Sequence, residues 1–157
     1  MRVDIATEAD IPGWLDLAAE VEPLFGPLVH DPIFNRALLK NIRRGTAFCI
    51  RENDGPPGSP LMGGLLFSPT RKPVFEIGWF SVADKWRRHG VGLALVRRIF
   101  DLVTPPAELI VKTFMEGVEG GGPARVFYAR FGFEPAELLP GQGPYGSTVQ
   151  VFRQYFR

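Results

Sequence analysis

A mixed α/β (α+β) fold is predicted for this 157-residue chain by three observations. Apolar residues recur at helical spacing in four segments. In six others they form short runs bounded by turn signals. The two kinds of segment interleave along the chain instead of separating into halves, which calls for a sheet with helices packed on it. The length fits one domain, 1–157, able to bury a core without disulfides or metals.

Val3 to Ala6 reads as a short strand. Thr7 is a capping residue, and Ile11, Trp14, Leu15 and Ala18 share one face of a helix from Ala9 to about Val21. Pro23 is expected to end it. Leu24 to His30 forms an apolar, irregular connection. Asp31-Pro32 starts a second helix: a carboxylate cap, then proline at the first helical position. Phe34, Leu38 and Ile42 mark its buried face, and Arg43-Arg44-Gly45 is its stop. Thr46 to Arg51 and Leu61 to Phe67 read as an antiparallel pair joined by the Gly/Pro-rich stretch from Asp54 to Pro60. Val74 to Val82 is a third strand of this group. A helix follows from about Gly90 to Leu102, with Val91, Leu95, Ile99 and Leu102 on one face. Pro105-Pro106 stops it. Glu108 to Thr113 is a strand, Pro123 to Phe131 a helix closed by Gly132 with Phe133 packing back, and Thr148 to Tyr155 a last strand.

Composition excludes several functions. Apolar residues make up 45% and charged residues 22%, and the net charge is +1. No global field therefore draws in nucleic acid or an anionic membrane. One cysteine, Cys49, cannot form an internal disulfide or build a zinc site, so neither metal nor disulfide is expected; it reads as strand filler. No apolar run reaches the ~18 residues of a membrane span. The opening Met1-Arg2-Val3-Asp4 lacks the pattern of a signal peptide, and a cytoplasmic location is expected.

The chemistry concentrates between Val74 and Leu102, a strand, a short polar turn and a helix. The turn holds Arg87, Arg88 and His89, and Gly90-Val91-Gly92 opens the helix. The first amides of a helix lack internal partners and sit at the positive end of its dipole. Glycine lets a large anion approach them, and two guanidiniums add charge and forked donors. This is a cradle for a pyrophosphate. It is not a Walker A loop, which needs a lysine. It is not a dinucleotide fingerprint either, because Leu95 stands where that motif needs a small residue. Glu76 is an acidic residue in an otherwise apolar strand that leads into this cradle.

Val82-Ala83-Asp84-Lys85-Trp86-Arg87-Arg88-His89-Gly90-Val91-Gly92 resembles the acetyl-CoA motif of the GNAT superfamily, Arg/Gln-x-x-Gly-x-Gly/Ala. Ala124 to Phe133, with Tyr128 ahead of Gly132-Phe133, resembles that family's helix ending in Tyr-x-x-x-Gly-Phe. The element order agrees from Val3 to about Phe156. The resemblance implies an acyl-CoA N-acyltransferase fold: a central, mixed, mostly antiparallel twisted sheet of six to seven strands flanked by about four helices. It implies acetyl-CoA as cosubstrate. Trp79 to Val82 lie along the pantetheine arm in this reading, with backbone groups of Phe80 and Val82 pairing with it and Ser81 between them. Arg87, Arg88, His89, Gly90, Val91 and Gly92 hold the pyrophosphate, and Leu93 and Ala94 continue the contact. Tyr128 protonates the leaving thiolate, and Glu76 is the candidate base, acting directly or through water.

Where the family often has Asn, seven residues before the tyrosine, this chain has Gly121, which removes one cofactor contact. On the acceptor side the resemblance points to the connection between the first two helices, with Trp14, Glu22, Phe25, His30 and Asp31 unranked. The implied function is acetyl transfer to a primary amine of a small molecule or peptide, without nucleic acid or membrane partners. The alternative is a non-catalytic module of the same fold, either a sensor that binds acyl-CoA without turnover or an interaction domain; the intact motif and Tyr128 favour the enzyme. Related domains often pair through edge strands, so a homodimer is compatible with the chain.

Overall fold

A computed structural model describes residues 1–157 apart from Thr70. Seven strands, β1 (Val3–Ile5), β2 (Ala47–Arg51), β3 (Leu61–Arg71), β4 (Val74–Val82), β5 (Ala107–Phe114), β6 (Glu134–Leu139) and β7 (Val149–Phe156), are joined by four helices. These are α1 (Ile11–Phe25), α2 (Pro32–Arg44), α3 (Val91–Leu102) and α4 (Gly122–Arg130). The strands form one mixed sheet in the order β1-β2-β3-β4-β5-β7-β6. β4 and β5 pair in parallel, while β1 with β2, β2 with β3, β5 with β7 and β6 with β7 pair antiparallel. Among the described residues no helix is long and apolar enough to cross a membrane.

The chain divides into two compact units. The first comprises Met1–Ser68 and Gly78–Leu102. Its core gathers Trp14, Leu17 and Ala18 of α1, Phe34, Leu38 and Ile42 of α2, Ala47 and Cys49 of β2, and Leu61 and Leu66 of β3. Two adjacent glycines of β3 let helices close on it from both faces. A Cβ on Gly64 would stand 2.6 Å from the Trp14 ring of α1, and one on Gly63 would stand 2.8 Å from Val91 Cγ1 of α3. α2 has the ends expected of it. The Asp31 carboxylate accepts from the Ile33 amide at 3.1 Å, and Gly45 closes the helix in the left-handed region.

α1 differs from its expected course. It starts after a 3-10 turn at Glu8–Asp10 and runs through Pro23 to Phe25. A proline so near the C-terminus removes one donor without stopping the last turn. Gly26, at φ 78°, ends the helix, its amide donating to the Glu22 carbonyl at 2.8 Å.

A buried ion pair ties the edge of this unit together. Arg51 at the end of β2 donates to both Asp10 carboxylate oxygens, at 2.9 and 2.7 Å, and to Asp4 of β1 at 3.1 Å. Asp10 also accepts the amides of Thr7 (2.8 Å) and Gly58 (2.9 Å). Asp10 has no exposed surface and Arg51 is 4% exposed. Burial alone would raise the Asp10 carboxyl, but the guanidinium and the two amides outweigh it and hold the group at about 2.

Cys49 is fully buried beside this pair, and burial, with the Asp10 charge, pushes its thiol up to about 12. A thiol so disfavoured as thiolate is unreactive. Native protein is therefore expected to leave an aromatic disulfide reagent uncoloured and to release one equivalent of chromophore once denatured. Rapid reaction of the native state would contradict the burial.

The second unit comprises Pro69–Ile77 and Val103–Arg157. Leu109, Val111 and Thr113 of β5 point to one face, where Phe133 and Phe152 join them in a core beside α4. The opposite face carries charge: Arg153 of β7 ion-pairs with Glu108 of β5 and Glu137 of β6. β6 is absent from the element order read off the sequence. It is an edge strand paired only to β7, its Glu134-Pro135 start and Glu137 are exposed, and its register shifts between Pro135 and Leu138. Without a buried face it has no alternation to detect.

Candidate functional site

β4 emerges at Val82 into a 3-10 turn, Asp84–Trp86, that is held from two directions. Glu20 of α1 accepts the Asp84 amide at 2.8 Å. Glu52, after β2, accepts Trp86 Nε1 at 2.9 Å and pairs with Lys85 at 2.8 Å. The turn delivers an exposed stretch, Arg87 to Gly90, to the start of α3. Arg88 and Gly90 both lie in the left-handed region, at φ 64° and 82°. For a residue with a side chain this costs about 1 kcal/mol. No described atom lies within 4 Å of where a Gly90 Cβ would stand, so the backbone there is open to a ligand. The first helical bond runs from the Ala94 amide to the Gly90 carbonyl at 3.0 Å. The amides of Val91, Gly92 and Leu93 precede it and have no acceptor within the helix.

The side chains of the stretch divide their work. Arg87 lies near its own turn, with Nε 3.4 Å from the Val82 carbonyl and a guanidinium nitrogen 3.6 Å from Asp84. Both groups are exposed, so that pair is weak and easily exchanged for another anion. Arg88 is exposed, and among the described residues it makes no ion pair. His89 Nδ1 donates to the Arg87 carbonyl at 2.8 Å and its ring stands edge-on to Trp86. Val91 is buried under Gly63, and Ser81 is buried at the end of β4; Phe80, Val82, Gly92 and Ala94 are half-buried, and Leu93 is exposed. The residues expected to take a pyrophosphate and its arm thus lie together in the first unit. The open backbone and paired left-handed residues fit a phosphate-bearing cosubstrate.

Glu76 and Tyr128 belong to the second unit. Glu76 is half-buried, stands opposite Ile110 of β5, and pairs with Lys112 at 3.6 Å. Lys112 escaped the reading of the sequence, although a lysine within an apolar strand is the signal that marks it. Tyr128 is the buried aromatic of α4, 7% exposed, while Phe127 and Phe131 are half-buried. Its ring packs edge-on against Phe133 (5.7 Å) and near Phe152 (6.2 Å). Burial pushes its phenol well above the ordinary value, so it stays protonated. α4 closes as expected, with Gly132 at φ 90° and the Phe133 amide donating to the Tyr128 carbonyl. Gly121 has a physical reason: a Cβ there would stand 2.5 Å from Phe114 Cβ, so an asparagine does not fit without displacing that ring.

Of the acceptor-side residues, Trp14 is a core residue with no exposed surface. Asp31 caps α2, His30 is exposed and Phe25 is half-buried. Glu22 accepts the amides of Leu28 and Val29, at 2.7 and 3.2 Å.

Comparison with known proteins agrees with this architecture. The chain superposes on Ard1 from Thermoplasma volcanium with a TM-score of 0.78 at 18% identity, covering 99% of this chain and 97% of that one. For a ribosomal-protein-alanine N-acetyltransferase from Brucella melitensis the TM-score is 0.71 at 20% identity, with 99% and 100% covered. Naa50 from Arabidopsis thaliana, solved with the bisubstrate analogue CoA-Ac-MVNAL, gives 0.72 at 14% identity, with 99% and 98% covered. At such identities the likeness establishes the fold. No curated protein matches the chain. The model of the acetyltransferase (GNAT) family matches residues 14–133, from the buried Trp14 to the Phe133 that closes α4. That span takes in the loop, its helix and Tyr128, and the chain belongs to the GNAT acetyltransferase family.

Proposed function

We propose that the chain, as one domain, transfers an acetyl group from acetyl-CoA to a primary amine of a small molecule or peptide. The observation that carries this reading is the loop from Arg87 to Gly90: an open, exposed backbone with two left-handed residues just ahead of α3, in a member of this family. Amides from Gly90 to Ala94 and the guanidiniums of Arg87 and Arg88 would hold the pyrophosphate. Backbone groups from Phe80 to Val82 would align the pantetheine arm as an added strand does. The bound cosubstrate supplies an activated acetyl thioester. Holding the amine against it supplies much of the rate, so no covalent enzyme intermediate is needed.

The remaining work falls to side chains and one amide. The amine attacks only when unprotonated, and Glu76 takes its proton directly or through water. A strand amide near Phe80 donates to the carbonyl oxygen as charge develops there. Tyr128 gives its proton to the departing sulfur. Burial makes the phenol a weak acid, so the side chain holds its proton until one is needed.

Binding tests the reading directly. Acetyl-CoA is expected to give a saturable calorimetric signal, and Gly90→Val to weaken it by about tenfold, because valine tolerates the left-handed region poorly and its branches fill the open backbone. A flat titration with native protein would end the assignment. An amine panel, followed by release of free thiol, tests turnover. Glu76→Gln is expected to lower kcat by about tenfold at neutral pH and less at alkaline pH, where the amine loses its proton unaided. Equal loss at every pH would remove Glu76 as base.

A further inference from the structure

The loop from Arg87 to Gly90 is suspended between two anchors. At one end the buried Val91 sits on Gly63 and fixes the start of α3. At the other end stands the turn Asp84–Trp86. Between them Arg88 and Gly90 hold left-handed backbone. A strained residue keeps its conformation only where its surroundings over-determine it, so the shape of the loop depends on both anchors.

The second anchor is made by carboxylates. Glu52 Oε1 lies 2.9 Å from Trp86 Nε1 and 2.8 Å from Lys85 Nζ, and Glu20 Oε2 accepts the Asp84 amide at 2.8 Å. On charge alone these acids are misplaced, because they oppose the field of a loop that would take a diphosphate. The two effects differ in size. Solvent screens a charge at this surface, and Lys85 offsets that of Glu52. The bond from Glu52 to the indole is charge-assisted, and Trp86 is half-buried against the core of the first unit. Holding the turn therefore outweighs the repulsion.

Glu52 is itself held firmly. Its amide donates to the Pro60 carbonyl at 2.9 Å, and its carbonyl accepts the Gly55 amide at 3.1 Å. Two residues on, the Asp54 carboxylate accepts the Arg2 amide at 2.8 Å. From Glu52 the contacts run into the loop through side chains. The Trp86 ring meets the His89 ring edge-on at 5.6 Å, and His89 Nδ1 donates to the Arg87 carbonyl at 2.8 Å. One carboxylate thus orients the indole against which the loop's own histidine rests.

We propose that Glu52 is a positioning residue for the cosubstrate: through the Trp86 indole it holds Arg87 to Gly90 in the shape that takes the diphosphate. The proposal rests on the acetyl-transfer reading above and deepens it, naming a residue outside the motif on which cosubstrate affinity depends.

Calorimetry with acetyl-CoA, first on native protein, tests it. Glu52→Ala is expected to weaken acetyl-CoA binding about tenfold, because the loop must then be ordered by the ligand. Glu52→Gln keeps an acceptor for the indole and is expected to stay within about threefold of native. Trp86→Phe keeps a ring beside His89 but loses the donor, and is expected to match Glu52→Ala. The double variant is expected to lose no more than either single one, since both remove the same bond. Should Glu52→Ala fail to fold, Trp86→Phe carries the same expectation. Amide exchange on the free protein separates positioning from general damage. In Glu52→Ala the peptide covering 84–90 is expected to exchange about fivefold faster, with α1 and α2 unchanged. Native affinity in Glu52→Ala or Trp86→Phe, equal losses in Glu52→Gln and Glu52→Ala, or faster exchange throughout α1 and α2 overturns the proposal and leaves acetyl transfer standing. A flat titration with native protein overturns acetyl transfer and this proposal with it.

Discussion

Tyr128→Phe is expected to lower kcat by about 100-fold or more, with acetyl-CoA affinity held within about twofold. The substitution keeps the ring that packs on Phe133 and Phe152, so the core of the second unit survives, at a cost of about 1 kcal/mol or less. What goes is the only proton the side chain has to give. In the proposed reaction the thiolate would then have to leave without a proton donor, which slows collapse of the tetrahedral intermediate, so the loss is expected on turnover and not on binding. Thiol-release kinetics and calorimetry on the same preparation separate the two. A folded variant with native kcat would leave Tyr128 as a packing residue only and return the donor role to solvent.

Asp10→Asn is expected to cost about 3–5 kcal/mol of unfolding free energy at neutral pH. The substitution takes away the bidentate partner of the buried Arg51 guanidinium, leaving Asp4 as its remaining carboxylate, and weakens the hold on the Thr7 and Gly58 amides. The effect carries a pH signature. The Asp10 carboxyl sits at about 2 in the folded chain against an ordinary value of 3.8, so folding favours the carboxylate. Its contribution, on the order of 2 kcal/mol for the proton alone, is complete above pH 4 and is lost as pH falls toward 2. Denaturant titrations at pH 7 and pH 3 are therefore expected to show the gap between native and variant narrowing at the acidic end. A gap of the same size at both pH values would mean that the ionised pair is not what stabilises this edge.

What could be read from the sequence, and what could not, follows the range of each interaction. α2 was legible to the residue because its start and stop are local chemistry, the Asp31 cap and the Gly45 turn. The end of α1 was not, since Pro23 is a stop only when the chain has no further turn to complete. β6 went unread because its identity lies in its hydrogen bonds to β7, not in any alternation of its own. The phosphate loop is contiguous, so its composition announced it. The left-handed strain at Arg88 did not, because only the fold requires it. The partnerships of Arg51 with Asp10 and of Lys112 with Glu76 join residues far apart in the chain. Of the four, only Glu76 is read from the sequence, as a charge in an apolar strand, and the pairings themselves are beyond reach of pattern.

The glycine at position 63 acquires a role from its neighbour. Val91, the first residue of α3, rests where a side chain on that strand would otherwise project, so the height of the helix above the sheet is set by a missing methyl group. The donors that would grasp a diphosphate inherit their aim from that seat. Their pointing is tuned from underneath, at a position closed over by Val91 and Leu95.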